Sequence, residues 1–374
     1  TMANVWDPEK NIPSLQGKIS VVTGANSDIG RETARYLAIN GAKVYLAVRS
    51  EAKGVQTRRL ILDKSPKIEP QTIQWVKIDL TDMRSITAAV DWLKTQENKV
   101  DILSMSPYSP PPLQLLLTLG SPQCSSSNMV KRTSWRGMGA SHGCEVSSAS
   151  GIRNSLLTSN NSFIGPFALT NRLLPLLQSA AAEKDADVRI VTLTSTAQVA
   201  MLPSGFKFPF TSPDCLRNPV PSHPWQWRYF GKFAFGFDMI RYAVSKAANL
   251  IFAQGLQRRL DEQGLPIISV AVHPGEVATE GVFSINNAMA RTIARLTFLS
   301  PEQGAANTVF AAASRDVKEN LAVFKGRFLL PVGNIGVPAS VASDEEQVKG
   351  LWNTATEEIN KRLADEGLPP LQAW

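Results

Sequence analysis

Long apolar runs are missing from this 374-residue chain. None approaches the roughly 20 residues needed to cross a bilayer, so no integral membrane segment is expected. Cysteine is scarce. Cys124, Cys144 and Cys215 are odd in number and form no CxxC pattern, which argues against a disulfide framework or a cysteine zinc site. His142, His223 and His273 are widely separated, so no metal site is expected. A run of like charge is also missing. The formal net charge of +7 comes from 39 basic and 32 acidic residues, but Lys and Arg are scattered. Nucleic acid and a membrane surface are therefore not expected partners. The first residues, with Asp7, Pro8, Glu9 and Lys10, lack the apolar core of a secretion signal. A reducing, cytoplasmic setting is the expectation.

What the chain does have is enough apolar sequence, 43%, for a large core. Short apolar runs alternate with amphipathic stretches. Residues 18–23 (KISVVT), 43–48 (KVYLAV), 72–78 and 100–103 read as strands. Residues 31–40, 55–62 and 85–94 between them read as helices. That alternation predicts an α/β fold of the Rossmann type, a doubly wound parallel sheet with helices on both faces. The order resumes with a helix over 163–182, a strand over 188–193, a helix over 243–260 and a strand over 267–272. Helices over 286–296 and 301–313, an edge strand over 328–331 and a terminal helix over 345–363 complete it.

Two segments break the pattern. After a short N-terminal extension, residues 1–14, a single domain over 15–374 carries both as insertions. Residues from about 104 to 160 are rich in Ser, Pro and Gly, with Pro110, Pro111 and Pro112 in a row. So long a structureless stretch inside a domain is unusual. It reads as a surface insertion, a disordered segment or sequence foreign to the fold. Residues 198–241 hold Phe206, Phe208, Phe210, Trp225, Trp227, Tyr229, Phe230, Phe233, Phe235 and Phe237. This segment reads as a wall for a large apolar ligand; extra core or an oligomer contact would use the same residues.

Three motifs carry chemistry. The first is the turn Thr23-Gly24-Ala25-Asn26-Ser27-Asp28-Ile29-Gly30 between the first strand and helix. Such a turn aims backbone N–H groups and a helix N-terminus at a phosphate. Gly24 permits the tight turn and Gly30 close helix–strand packing, but Asp28 stands where the middle glycine belongs. The second is Arg49 at the end of the second strand, where an arginine accommodates the 2′-phosphate of NADP and an acid would select NAD. A solvated surface arginine would look the same. Asp79 ends the third strand, placed either to accept from an adenine amino group or to cap the next helix, a role for which Asp82 competes. The third motif is Tyr242 with Lys246, one helical turn apart and so on one face. With the glycine turn far upstream, the pair points to hydride transfer between a nicotinamide and a carbonyl or alcohol.

In this order these residues resemble the short-chain dehydrogenase/reductase family. The chain is similar to its retinol-dehydrogenase-like branch and to reductases of fungal secondary metabolism. The resemblance spans residues 15–103 and 161–365, on Thr23 to Gly30, Asp79, Ser195, Tyr242 with Lys246, and Pro274-Gly275-Glu276-Val277-Ala278-Thr279. It implies NADP(H) held by Gly24, Asn26, Ser27, Asp28, Ile29, Gly30, Arg49, Asp79, Tyr242 and Lys246. Pro274, Gly275, Val277 and Thr279 would lie over the nicotinamide. Ser195 would bond the substrate carbonyl and Tyr242 would donate the proton. Lys246 would hold the ribose and lower the tyrosine pKa, by ~2 units for ~2.7 kcal/mol. The family's Asn-Asn-Ala-Gly is absent after Leu103. Its catalytic asparagine falls at Ser162, with Asn161 one place away and so turned by roughly 100° on a helix. A homo-oligomer through the helices near 163–182 and 243–260 is a further implication. The expectation is an NADPH-dependent reductase of a bulky apolar small molecule. The alternative is a non-redox protein on the same fold that binds a small molecule or steers a cyclisation.

Overall fold

The computed structural model describes residues 6–106, 163–203, 205–210, 213–216, 239–279 and 297–374. Its strands are β1 (Ile19–Thr23), β2 (Lys43–Val48), β3 (Ile73–Lys77), β4 (Ile102–Met105), β5 (Val188–Leu193), β6 (Ile267–Val272), β7 (Phe328–Leu330) and β8 (Asn334–Ile335). They form one sheet in the order β3-β2-β1-β4-β5-β6-β7-β8. Every pairing is parallel except that of β7 with β8. β1 lies between β2 and β4, so the winding reverses there. The crevice outside the carboxyl ends of β1 and β4 is where such sheets place a ligand.

The long helices are α1 (Asp28–Ile39), α2 (Glu51–Lys64), α3 (Met83–Gln96), α4 (Gly165–Ala181), α5 (Met239–Glu262), α6 (Pro301–Ala313) and α7 (Glu345–Asp365). Their starts follow from capping chemistry. Ser27, Ser50, Asp82 and Asp344 each accept a first-turn N–H of α1, α2, α3 and α7. Ser300 and Gln303 form a reciprocal capping box at α6, two donors satisfied at once. Alternate strand residues face opposite ways. Val21, Leu103 and Ile190 pack with Leu93, Leu173, Phe252 and Trp352 on one face. Val22, Ile102 and Val191 pack with Leu37, Ile61 and Val309 on the other.

Two expectations change. β4 runs to Met105 rather than stopping at 103, because Ser104 is paired with Val22 on one side and Val191 on the other. Two-sided pairing outweighs the weak strand preference of a serine. β7 is not the sheet edge: the chain turns at Gly333 (φ +72°) and β8 covers it. Of the aromatic-rich insertion, Phe206, Phe208 and Phe210 are described. Phe208 is buried, the other two pack on the core, and Phe208 N–H donates to Gln347 Oε1 at 2.7 Å. The chain's own C-terminal segment packs on part of α4 and α5. Trp352 of α7 stacks on Phe252 with ring centroids 5.9 Å apart. Trp374 meets Phe167 edge-on at 5.2 Å, and Asn171 exchanges two hydrogen bonds with the backbone of Gln372. The remaining aromatics of 217–238, the segment 107–162 and the helix expected over 286–296 lie outside the described residues. Among the described residues no helix is long and apolar enough to cross a membrane, and no cluster of three metal-ligating side chains occurs.

Candidate active site

All the expected site residues that the structure describes lie at or beyond the carboxyl edge of the sheet. Gly24 follows β1 with φ +62°, in the left-handed region that favours glycine. A Cβ there would fall 2.2 Å from the carbonyl oxygen of Ser106, beyond β4. A Cβ at Gly30 would fall 2.3 Å from the carbonyl oxygen of Gly24. Both glycines are thus required for α1 to close on the switch point. Ser27 fixes the turn: its hydroxyl donates to Gly24 O at 2.7 Å and accepts from Gly30 N–H at 3.3 Å. Asn26 and Ile29 flank it. Asp28 opens α1, and its carboxylate pairs with Arg31 at 3.0 Å.

Arg49 leaves the end of β2 with its side chain exposed. Asp79 follows β3, where the Ile78 N–H still donates to Val48 O at 2.8 Å. The Asp79 carboxylate accepts from the Thr81 N–H and hydroxyl at 2.9 and 2.7 Å. The helix-capping role belongs to Asp82, which accepts from Arg84 and Ser85 N–H.

Ser195 lies just past β5, and its Oγ accepts from Ala197 N–H at 3.2 Å. Its hydroxyl is hydrogen-bonded to the Tyr242 phenol. The Lys246 ammonium sits 5.3 Å from the Tyr242 ring centroid. Lys246 is only 6% exposed, and burial pulls its pKa down to about 8. No carboxylate among the described residues forms an ion pair with it. A buried ammonium with no counter-ion is a site built for hydroxyl or other neutral acceptors, and so fits a ribose.

The Tyr242 phenol is pushed up from its ordinary value, first by burial; the Ser195 hydrogen bond pulls the other way, and the Glu276 charge adds to the rise. The direction is set by desolvation, which disfavours the phenolate.

The segment from Pro274 to Thr279 follows β6. Gly275 has φ +89°, and a Cβ there would meet Leu299 at 2.6 Å. Val277 pairs with Leu299 and packs on Gly304. Ala278 N–H donates to Leu299 O and Thr279 N–H to Val277 O, both at 2.9 Å. Burial pulls the His273 pKa down to about 4. This is a packed, neutral imidazole with Thr196 Oγ1 3.5 Å and Glu276 3.7 Å from its Nε2. Asn161 lies outside the described residues.

Three residues that hold this arrangement were not singled out in the sequence. The Thr194 hydroxyl donates to Lys246 O at 2.7 Å, and Asn249 Nδ2 donates to Leu193 O at 3.1 Å. Together they fix the face of α5 that carries Tyr242 against the end of β5. Asn307 Nδ2 donates to His273 O at 2.7 Å, while its Oδ1 accepts from Gly333 N–H at 3.0 Å. The available signal is a buried amide amid Ala-rich helix sequence, since buried polar groups need partners.

The family model described as short chain dehydrogenase matches residues 18–106. A short chain dehydrogenase/reductase of Gibberella zeae is 32% identical over 352 residues, across 93% of this chain and 84% of that protein. One of Colletotrichum higginsianum is 33% identical over 352 residues, across 93% and 76%. Among solved structures, NADPH-bound carbonyl reductase from chicken fatty liver aligns with a TM-score of 0.53 at 18% identity, across 90% of this chain and 99% of that one. L-Sorbose reductase from Gluconobacter frateurii, complexed with NADPH and L-sorbose, aligns with a TM-score of 0.53 at 16% identity, across 87% and 98%. These two share the doubly wound sheet. With relatives above 30% identity along nearly the whole length, the chain belongs to the short-chain dehydrogenase/reductase family and is one of its enzymes.

Proposed function

We propose that this enzyme is an NADPH-dependent reductase of a ketone on a bulky, apolar small molecule, or the reverse dehydrogenase. The observation that carries the reading is the Ser195–Tyr242 hydrogen bond beside a buried ammonium that has no counter-ion among the described residues. Arg49 at the end of β2 supports NADP over NAD. The aromatic-rich segment between Ser195 and Tyr242 supports a large apolar substrate, although Phe208 is core and Phe206 and Phe210 pack on it. The resemblance to fungal reductases of secondary metabolism supports the same setting here.

A bound nicotinamide supplies the hydride. Ser195 then holds the substrate carbonyl oxygen, and Tyr242 gives it a proton. The phenol is protonated at neutral pH, as an ordinary tyrosine would be, and so is in the form a donor needs. Lys246, with a pKa of about 8, remains largely charged at pH 7 and would hold the ribose hydroxyls beside the phenol. Replacing Tyr242→Phe should abolish turnover and leave the NADPH dissociation constant unchanged. Retained turnover would remove Tyr242 from the reaction.

A second reading, a non-redox protein that binds a ligand or steers a cyclisation, is favoured by one observation, the Asp28 carboxylate in the glycine turn. NADPH binding without turnover on any carbonyl compound would select it.

A further inference from the structure

The middle glycine of a dinucleotide turn has no side chain so that backbone can approach the pyrophosphate. Here that place is an acid. Asp28 is the first residue of α1, next to the Ser27 cap, and is 8% exposed. Its carboxylate pairs with Arg31 one turn along at 3.0 Å, and about a quarter of the Arg31 side chain (24%) reaches solvent. A carboxylate in the first turn of a helix satisfies the positive end of the helix dipole. A phosphate bound at the same turn seeks that same field. The guanidinium beside Asp28 cancels its charge and can itself bond a phosphate oxygen.

We propose that Asp28 and Arg31 are a built-in counter-ion pair that sets the affinity of this chain for its dinucleotide. Asp28 repels the pyrophosphate and Arg31 offsets the repulsion. The inference rests on the reductase reading, because it takes the glycine turn as the cofactor cradle. The two charges act in opposite directions, which distinguishes them from a pair that merely braces the turn. At separations of one helical turn in a half-open cleft, one unit of charge changes phosphate affinity roughly tenfold.

The experiment is a fluorescence titration with NADPH of the wild type, Asp28→Asn, Arg31→Ala and the double variant. The melting temperature of each cofactor-free protein reports the integrity of the turn. Asp28→Asn keeps the side-chain shape and should bind about five- to tenfold more tightly. Arg31→Ala should bind about tenfold more weakly, and the double variant should return to within about threefold of the wild type. If both single variants bind more weakly, the pair is only a brace and the proposal is overturned. If the wild type binds and Asp28→Asn is unchanged, the proposal also fails while the reductase reading stands. If only Asp28→Asn binds, Asp28 excludes the dinucleotide; the proposal stands and the reductase reading of the wild type falls. If no form binds, both fall.

Discussion

Removing the Lys246 ammonium should stabilise the protein while destroying its activity. The side chain is buried, no carboxylate among the described residues pairs with it, and its pKa falls from 10.5 to about 8 because burial disfavours the charged form. At about 1.4 kcal/mol per tenfold change in proton affinity, that fall costs the folded state roughly 3 kcal/mol at neutral pH. The sign follows from linkage. Between about pH 8 and 10.5 the unfolded chain binds more protons at this lysine than the folded one, so its contribution to stability rises with pH there. Below pH 8 the cost is fully present. Lys246→Met, similar in length and uncharged, removes it. For a chain of this size, roughly 3 kcal/mol corresponds to about 4 °C in Tm. The assay is thermal unfolding of cofactor-free wild type and Lys246→Met at pH 7 and pH 10. The variant should melt higher at pH 7, and the gap should shrink at pH 10. A variant that melts lower at pH 7, or a gap independent of pH, would refute the reasoning. Carbonyl reduction should be lost in either case.

Two further predictions follow from the same geometry. His273 is held neutral by burial, with its pKa near 4 against 6.5, so the unfolded chain protonates first as pH falls. Stability should drop between about pH 6.5 and 4 by up to roughly 3 kcal/mol, less whatever Glu276 returns by pairing with the charged ring. His273→Gln should flatten that limb of a denaturation-versus-pH curve; an unchanged limb would count against it. Arg49→Ala should weaken NADPH binding about tenfold or more and NADH little, since only the former carries the 2′-phosphate. Equal losses for the two cofactors would remove the case for phosphate recognition.

The sheet was legible because its strands are buried on both faces and end at turn residues. β2, β5 and β6 match residues 43–48, 188–193 and 267–272 end to end. α6 matches the helix expected over 301–313 end to end. β4 was read short because the strand character of Ser104 comes from its two neighbours, not from its side chain. β8 is two residues long and exists only by pairing with β7. The positions of Ser195, Tyr242 and Lys246 were legible as a pattern, but their electrostatics were not. The upward push on the Tyr242 pKa depends on burial, which spacing does not reveal. Thr194 and Asn249 act through backbone carbonyls on another element, and no sequence motif marks such a bond. The Asp28–Arg31 pair was within reach, since residues three apart face each other on a helix.

In the proposed reaction Tyr242 gives a proton to a carbonyl oxygen as hydride reaches the carbon. The most direct measurement uses NADPH carrying deuterium at the transferred position and a bulky aryl ketone, with the alcohol analysed by mass spectrometry. The wild type should place deuterium on the carbinol carbon, while Tyr242→Phe should bind the same cofactor and form no labelled alcohol. Label transferred equally by the phenylalanine variant, or NADPH bound by the wild type with no label transferred to any ketone, would contradict it.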